Sequence, residues 1–154
     1  MSRLGRVLLV EDDPNDVELT LRALGKHNLA NRVFVVRDGE EALDFLHRRG
    51  AFDGRDDDDP VVVLLDLKLP KVDGLEVLRE IKSDPRLREL PVVVLTSSRE
   101  HADLVRAYEL GTNAYVVKPV DFEQFQEAVR QLGLFWAVLN EPPRREEDSG
   151  EGGS

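Results

Sequence analysis

The chain has 154 residues, of which 41% are hydrophobic, and this is enough apolar material for the core of one compact domain. It contains no cysteine, which excludes a disulfide framework, a thiolate metal site and a cysteine nucleophile. The formal net charge of −10 argues against a nucleic-acid-binding surface, because phosphate recognition requires a basic stripe. Neither a signal peptide nor an apolar run of roughly 18 residues is present, so we expect a soluble, cytoplasmic protein without membrane contact.

Five short apolar segments predict buried β-strands, and each is followed by a segment with helical spacing. This alternation with short connections predicts a mainly parallel sheet with helices on both faces, because right-handed crossovers place the helices there. The predicted strands are Arg6–Val10, Val33–Val36, Val61–Leu65, Val92–Leu95 and Ala114–Val117.

Turn and capping residues predict where the helices begin and end. Pro14 follows Asp13 and is predicted to be the first residue of the first helix, where the missing N–H of proline has no helical partner to lose. The other predicted boundaries are helix starts after Asp38-Gly39, after Asp73-Gly74 and near Ser98, and a helix end at Gly111.

The last predicted helix begins after Asp121 and is extended, the longest of the five. Its apolar stripe is more aromatic than covering one sheet face requires, so Phe135 and Trp136 are predicted to form a homodimer surface. The alternative is that they cover the edge of the sheet. From Glu141 the sequence EPPRREEDSGEGGS predicts a disordered tail, which leaves residues 1–140 as the domain and 141–154 as the tail. The stripe consists of Phe122, Phe125, Val129, Leu132, Phe135, Trp136 and Leu139.

A second irregular stretch, RRGAFDGRDDDDP at residues 48–60, separates the second helix from the third strand. Its four consecutive acids, Asp56–Asp59, lack the ordered spacing of a calcium-binding loop. We therefore predict a solvated loop here.

Polar and charged residues directly follow four of the predicted strands. Parallel strands end at the same edge of a sheet, so these residues are predicted to meet on one rim, where open α/β folds bind their ligands. Carboxylates, a hydroxyl and an ammonium group are the parts needed to handle a phosphoryl group beside a divalent metal ion. The residues are Glu11, Asp12 and Asp13 after the first strand, Asp66 after the third, Thr96, Ser97 and Ser98 after the fourth, and Lys118 and Pro119 after the fifth.

The acidic side chains of this rim favour a hard cation. Two carboxylates 4 Å apart repel each other by about 4 kcal/mol at an effective dielectric constant near 20. A cluster of Glu11, Asp12 and Asp66 therefore predicts a site for Mg²⁺ or Mn²⁺, which prefer oxygen ligands. Taken singly, these residues have simpler interpretations, with Asp13 as an N-cap, Asp66 as a turn residue and Lys118 as a solvated lysine.

Four motifs, VLLVEDD, LLDLKLPKVDG, VVVLTSS and AYVVKP, occur in that order between residues 6 and 119. In this combination the chain resembles the receiver domains of two-component response regulators. The resemblance implies a flavodoxin-like fold of five βα units with the strand order 2-1-3-4-5. It also implies that Asp66 accepts a phosphoryl group from a sensor histidine kinase by nucleophilic attack on a phosphohistidine.

The resemblance further implies a magnesium site around Asp66. Asp12 and Asp66 are expected to ligate Mg²⁺ together with the backbone carbonyl of Lys68, and Glu11 is expected to act through bound water. Lys118 is expected to pair with the phosphoryl group from the other side. Because Lys68 lies two residues after the acceptor, we expect it to affect the rate of dephosphorylation.

Phosphorylation is expected to change a surface away from Asp66. Its charge and acceptor oxygens would draw the Thr96 hydroxyl inward, and Tyr115 would fill the vacated space. The alternative for Tyr115 is an ordinary half-buried strand residue. Ser97 is expected to modulate the site, and Pro119 is predicted to follow a cis peptide bond, as is common in the family.

Two other functions are weaker alternatives. Phosphatases with an aspartyl nucleophile usually carry a second acid two residues beyond the first, where this chain has Lys68. A degenerate receiver would tolerate loss of the acids, Thr96 or Lys118, and all are present. No DNA-binding domain follows residue 140, so the output is expected to be protein binding or passage of the phosphoryl group to a later histidine.

A narrower resemblance is carried by the 48–60 insert and the C-terminal segment QLGLFWAVLNEPP. Both are similar to features of the small single-domain regulators that are paired with bacterial and cyanobacterial phytochromes. This resemblance implies a phytochrome kinase as the partner.

Overall fold

A computed structural model describes residues 5–25, 32–56, 58–97, 101–112, 114–134 and 138–139 of the chain. Within these ranges, five parallel strands form one sheet in the order β2-β1-β3-β4-β5, which confirms the predicted flavodoxin-like fold. Every residue of β1, β3 and β4 is buried, because helices cover both faces of the central strands. The strands are β1 Val7–Val10, β2 Val33–Val36, β3 Val62–Asp66, β4 Val92–Thr96 and β5 Ala114–Val117.

In the part of the chain that the structure describes, five α-helices lie on the two faces of the sheet. The core on one face includes residues of α2, α3 and α4, and the core on the other includes residues of α1 and α5. None of the helices in the described ranges is long and apolar enough to cross a membrane. The helices are α1 Pro14–Gly25, α2 Gly39–His47, α3 Gly74–Ser83, α4 His101–Leu110 and α5 Phe122–Gln131.

Aspartates cap helices at the rim where the parallel strands end. The Asp13 carboxylate accepts a hydrogen bond from the Asn15 backbone at 2.8 Å, directly before Pro14 begins α1 as predicted. Asp38 and Asp73 accept backbone N–H groups at the starts of α2 and α3 in the same way. These caps fix the helix starts and thereby the loops that carry the functional residues.

Asp121→Ala is expected to lower the free energy of unfolding by about 1 kcal/mol at neutral pH, the usual cost of removing an N-cap. The Asp121 carboxylate accepts the Gln124 backbone N–H at 2.8 Å, and this bond holds the pKa of Asp121 below its usual value. A carboxyl group whose pKa is lower in the folded state than in the unfolded state stabilises the fold at pH values above its unfolded-state pKa. This contribution is lost as the pH falls through the folded-state pKa. The difference between the two proteins should therefore shrink below about pH 4.

Urea unfolding at several pH values measures this difference. Asp121→Asn keeps a capping oxygen and is the control, expected to retain most of the stability. An equal loss in both variants, or a loss that does not change with pH, would contradict the capping role.

The prediction of one extended helix that continues to Leu139 is wrong. Helix α5 ends at Gln131, and Gly133 follows in the left-handed region with φ of 72°. The Leu134 N–H donates to the Val129 carbonyl at 3.0 Å, which closes the helix end in a Schellman arrangement. Val138 and Leu139 have a helical backbone conformation, and the Val138 N–H donates to the Leu134 carbonyl at 3.0 Å.

The segment after α5 is attached to the domain itself. Val138 is fully buried in the core on the α1 and α5 face. Arg32 donates to the Val138 carbonyl at 2.6 Å and to the Gly5 carbonyl at 3.0 Å, joining this segment to the start of β1. Phe135 and Trp136, the predicted homodimer residues, lie outside the described residues, as does the 141–154 tail.

The 48–60 insert is not simply a solvated loop, and that prediction is wrong for two of its residues. Asp59 lies 3.2 Å from Arg48, 3.4 Å from Arg55 and 2.9 Å from Arg86. The Arg55 side chain is only 8% exposed and lies 4.0 Å above the ring of Phe45. The insert, which includes a 3₁₀ turn at Gly50–Phe52, is therefore folded against α2 by ion pairs and cation–π contact.

Candidate functional site

Three carboxylates meet where β1 and β3 end. Asp66 is the last residue of β3 and is 4% exposed, and Glu11, directly after β1, is fully buried. Asp12 follows Glu11 and is exposed. One carboxylate oxygen from each of the three lies within 4.8 Å of the others. The structure thus brings together the acidic residues that the sequence placed on one rim.

Lys118 reaches this cluster from the end of β5. Its ammonium group lies 3.0 Å from Asp66 Oδ2 and 3.1 Å from Glu11 Oε1. The Lys118 backbone N–H donates to the Thr96 carbonyl at 2.8 Å, so the neighbouring strand end fixes its position. The peptide bond between Lys118 and Pro119 is cis, as predicted.

A fourth acid, Asp16, was not predicted from the sequence. Its Oδ2 lies 3.1 Å from the Lys118 ammonium group, so α1 contributes to the site as well as the strand ends. The available signal was its place in the first turn of a helix that begins on the rim. An acid at that position is usually explained by its favourable interaction with the helix dipole. Its second role, as a partner of Lys118, is therefore not evident from the sequence.

Burial sets the electrostatics of this cluster. Desolvation, together with the hydrogen bond and charge of Asp66, raises the pKa of Glu11 to about 8, although Lys118 opposes this effect. Burial by itself lowers the pKa of Lys118, but the hydrogen bond to Asp66 and the charges of Asp66 and Glu11 hold it above its ordinary value. Lys118 is therefore charged at neutral pH and is the cation of the cluster.

The donor set fits a hard divalent cation. Glu11, Asp12 and Asp66 offer oxygen ligands that lie close enough to share one ion, and Mg²⁺ and Mn²⁺ prefer such ligands. The Lys68 backbone N–H donates to Asp66 Oδ1 at 3.1 Å, so this residue lies directly beside the cluster. That the Lys68 carbonyl is a further ligand stays a prediction.

The predicted switch residues lie on the β4 and β5 side of the site. Thr96 is 4% exposed, and its hydroxyl donates to the carbonyl of the exposed Ser97 at 3.0 Å. Tyr115 is 44% exposed, and its ring packs edge to face against Tyr108 with centroids 6.2 Å apart. The roles of Thr96, Ser97 and Tyr115 stay predictions, and both Thr96 and Tyr115 have to leave these contacts to fulfil them.

The side chain of Lys68 points across an open cleft to α4. Its ammonium group lies 3.3 Å from Asp103 Oδ2, and the two residues line the cleft together with Asp12, Pro70 and apolar neighbours. Asp103 was not predicted as a site residue, because its role depends on where α4 packs.

Comparison with known proteins identifies the family. The model of the response regulator receiver domain matches residues 7–130. A solved structure of the bacteriophytochrome response regulator AtBRR is 63% identical with a TM-score of 0.81, and the match covers 90% of this chain and 99% of that one.

Two curated proteins support the same assignment. The probable methanogenesis regulatory protein FilR2 of Methanothrix harundinacea is 43% identical over 89% of this chain and 86% of its own length. Response regulator Rcp1 of Synechocystis sp. is 38% identical over 84% of this chain and 87% of its own length. A solved structure of Rcp1 in its Mn²⁺-bound form is 34% identical with a TM-score of 0.71 and covers 92% of this chain and 99% of that chain.

These matches agree with the five-stranded fold and with the acidic cluster at its rim. Receiver domains work with a histidine kinase and bind Mg²⁺ or Mn²⁺ at an acidic pocket. The chain belongs to the response regulator receiver domain family and is a response regulator of a two-component system.

Proposed function

We propose that Asp66 accepts a phosphoryl group from the phosphohistidine of a sensor kinase and that the protein passes this signal on through a protein-binding surface. The observation that carries the proposal is the position of the Asp66 carboxylate. It is buried beside the Glu11 and Asp12 carboxylates and lies 3.0 Å from the Lys118 ammonium group.

The transfer is a nucleophilic substitution at phosphorus. A carboxylate oxygen of Asp66 forms the new bond to phosphorus, and the bond between phosphorus and the kinase histidine breaks. The histidine nitrogen keeps the electron pair and takes a proton from solvent. Lys118 is positioned to pair with the incoming anion, because its ammonium group already lies beside the attacking carboxylate.

A divalent cation belongs to this site in the proposal. Glu11, Asp12, Asp66 and the Lys68 carbonyl would hold Mg²⁺, or Mn²⁺ in its place. When bound, the ion neutralises negative charge on the phosphoryl oxygens. The chain's own acids keep the site selective for hard cations, and Lys118 keeps the pocket from carrying the full charge of its carboxylates.

The output surface is proposed to lie around α4, β5 and α5. A phosphoryl group adds roughly −1.5 to −2 charges and three acceptor oxygens, which compete with the Ser97 carbonyl for the Thr96 hydroxyl. Tyr115 and Tyr108 are exposed on this side and are available to repack or to bind a partner.

Similarity to the bacteriophytochrome regulator AtBRR supports a phytochrome kinase as the phosphoryl donor. The proposal also includes a homodimer through the segment that contains Phe135 and Trp136. A purified bacteriophytochrome kinase that labels this protein in a light-dependent manner would support the pairing. Sedimentation with and without beryllofluoride tests whether a dimer forms and whether it depends on phosphorylation.

A phosphatase acting on small substrates is the weaker alternative. Lys68 occupies the place of the second acid, and its side chain pairs with Asp103 on α4. The acid that such phosphatases carry two residues after the nucleophile is therefore replaced by a lysine, so a phosphoryl adduct that can be detected is expected rather than rapid turnover.

Acetyl phosphate and Mg²⁺ provide the direct test. Mass spectrometry after incubation is expected to find one phosphoryl group on Asp66 and none in Asp66→Asn. Asp73→Asn is the matched control, because Asp73 caps α3 in the same loop and asparagine preserves the cap. An adduct that persists in Asp66→Asn, or labelling lost equally in Asp73→Asn, would reject Asp66 as the acceptor.

A further inference from the structure

We propose that Asp103 is a positioning residue that holds the Lys68 side chain away from Asp66 and so sets the lifetime of the phosphorylated state. The inference rests on the proposed function, since it concerns the fate of a phosphoryl group on Asp66. It goes beyond that function by assigning a role to a residue of α4 that does not touch Asp66.

The geometry ties Lys68 to both residues at once. Its backbone N–H donates to Asp66 Oδ1 at 3.1 Å, which fixes the start of the side chain beside the acceptor carboxylate. Its ammonium group lies 3.3 Å from Asp103 Oδ2 on the other side of the cleft. The Lys68 side chain is 65% exposed, so it can turn about its flexible stem without breaking the core.

A phosphoryl group on Asp66 would compete with Asp103 for this ammonium group. The new group carries roughly −1.5 to −2 charges, whereas the Asp103 carboxylate carries one. The ion pair it competes with is partly exposed, with Asp103 at 26%, and such pairs are weak. Lys68 is therefore attracted by both anions, and the pull of Asp103 lowers how often it reaches the phosphoryl oxygens.

Contact between Lys68 and the phosphoryl group is expected to slow hydrolysis. In hydrolysis a water oxygen forms a bond to phosphorus, and the bond from phosphorus to the Asp66 oxygen breaks. The products are the Asp66 carboxylate and inorganic phosphate, and the proton of the water passes to phosphate and solvent. A lysine side chain lying over the phosphoryl oxygens occupies the open side of the cleft through which this water must approach.

Asp103→Asn is therefore expected to lengthen the phosphoryl lifetime by about two- to five-fold. That change corresponds to about 0.4–1 kcal/mol at 1.4 kcal/mol for each factor of ten, the range of a partly exposed ion pair. Lys68→Ala is expected to shorten the lifetime, and Asp103→Asn is expected to have no further effect in the Lys68→Ala background. Asp103→Glu keeps the carboxylate and is expected to restore the lifetime of the unaltered protein.

The experiment labels each full-length variant with acetyl phosphate and Mg²⁺, removes the donor and follows the phosphorylated fraction on phosphate-affinity gels. Glu109→Gln is the matched control, because Glu109 is an exposed acid of the same helix and its replacement removes the same charge. It is expected to leave the lifetime unchanged.

Three outcomes would overturn the inference: no change in Asp103→Asn, the same change in Glu109→Gln, or a change that persists when Lys68 is alanine. The last result would show that Asp103 acts through the stability of α4 rather than through Lys68. Failure of the unaltered protein to become labelled would instead reject the proposed function, so the two failures are distinct.

Discussion

In the absence of divalent metal ions, Lys118→Met is expected to lower the free energy of unfolding by about 3 kcal/mol. This value is at the low end of the loss that follows when one partner of a buried ion pair is removed. The Lys118 ammonium group lies 3.0 to 3.1 Å from the carboxylates of Glu11, Asp16 and Asp66. The side chains of Glu11 and Asp66 are only 1% and 5% exposed, so water does not replace the lost cation.

The same substitution is expected to strengthen Mg²⁺ binding. Lys118 and a divalent cation interact with the same carboxyl groups, those of Glu11 and Asp66, so the two positive charges repel each other. Without the ammonium group the pocket is more negative, and an ion that binds only the folded state stabilises it by mass action. Added Mg²⁺ should therefore raise the free energy of unfolding of Lys118→Met by more than it raises that of the unaltered protein.

Urea unfolding in EDTA and in Mg²⁺, with calorimetric Mg²⁺ titration, measures both effects. Lys71→Met is the control, because Lys71 lies 3.7 Å from Asp38 and from Glu40 and is 61% exposed. Its loss is expected to cost no more than about 1 kcal/mol and to leave Mg²⁺ affinity unchanged. Equal losses in the two variants, or weaker Mg²⁺ binding in Lys118→Met, would contradict the role of Lys118 as the cation of the cluster.

The strands and their common rim were predictable from the sequence for a simple physical reason. A parallel strand covered on both faces is a continuous apolar run, so its ends are marked by the first polar residue. Val33–Val36 and Ala114–Val117 were predicted with the observed bounds, and the other strands differ by at most one residue at an end. Because parallel strands end together, the approach of Asp66 to Glu11 and Lys118 followed from the topology alone.

Helix faces were less predictable than strand ends. Asp16 and Asp103 each lie in the first turn of a helix, where an acid already has a favourable interaction with the dipole. Whether such an acid also faces the rim depends on the angle at which its helix, α1 or α4, packs on the sheet. That packing angle cannot be read from a single sequence. The same limit applies to Asp59, because its partners include Arg86, which follows α3, as well as Arg48 and Arg55 of its own insert.

The end of α5 was not predicted from the sequence, because an apolar stripe indicates which residues are buried and not whether the helix is continuous. Leu134 and Val138 pack on the same core as α5, so the spacing of apolar residues persists beyond the point where the helix stops at Gln131. Gly133 was the available signal, since glycine after a helix commonly takes the left-handed conformation that ends it.

Gly74→Ala is expected to disturb the site without altering any of its functional groups. Gly74 begins α3, and its N–H donates to the Leu67 carbonyl at 3.0 Å. A Cβ at this position would overlap the carbonyl oxygen of Asp66 and backbone atoms of Leu67. Backbone atoms cannot rotate away as a flexible side chain can, so either α3 or the end of β3 has to move.

The movement is expected to cost about 2–3 kcal/mol of unfolding free energy, as overpacking at a buried contact does. It should also weaken Mg²⁺ binding by about 10-fold to 100-fold, the usual effect of displacing the residues that support metal ligands. The Asp66 carboxylate would no longer lie at its present place relative to Glu11 and Asp12, and labelling by acetyl phosphate should slow with it. Urea unfolding, Mg²⁺ titration and the labelling rate measure the three effects.

Two other glycines separate displacement of the site from general loss of stability. Gly54→Ala adds a Cβ with no atom within 4 Å, so it strains only the backbone at φ of 85° and should leave Mg²⁺ binding unchanged. Gly39→Ala would overlap the Val72 carbonyl, in the same loop but away from Asp66, and is expected to lower stability with a smaller effect on Mg²⁺. Of these three glycines, only Gly74 contacts the backbone of Asp66. If Mg²⁺ binding weakened in proportion to the loss of stability in all three variants, the contact between Gly74 and Asp66 would not be what positions the acceptor.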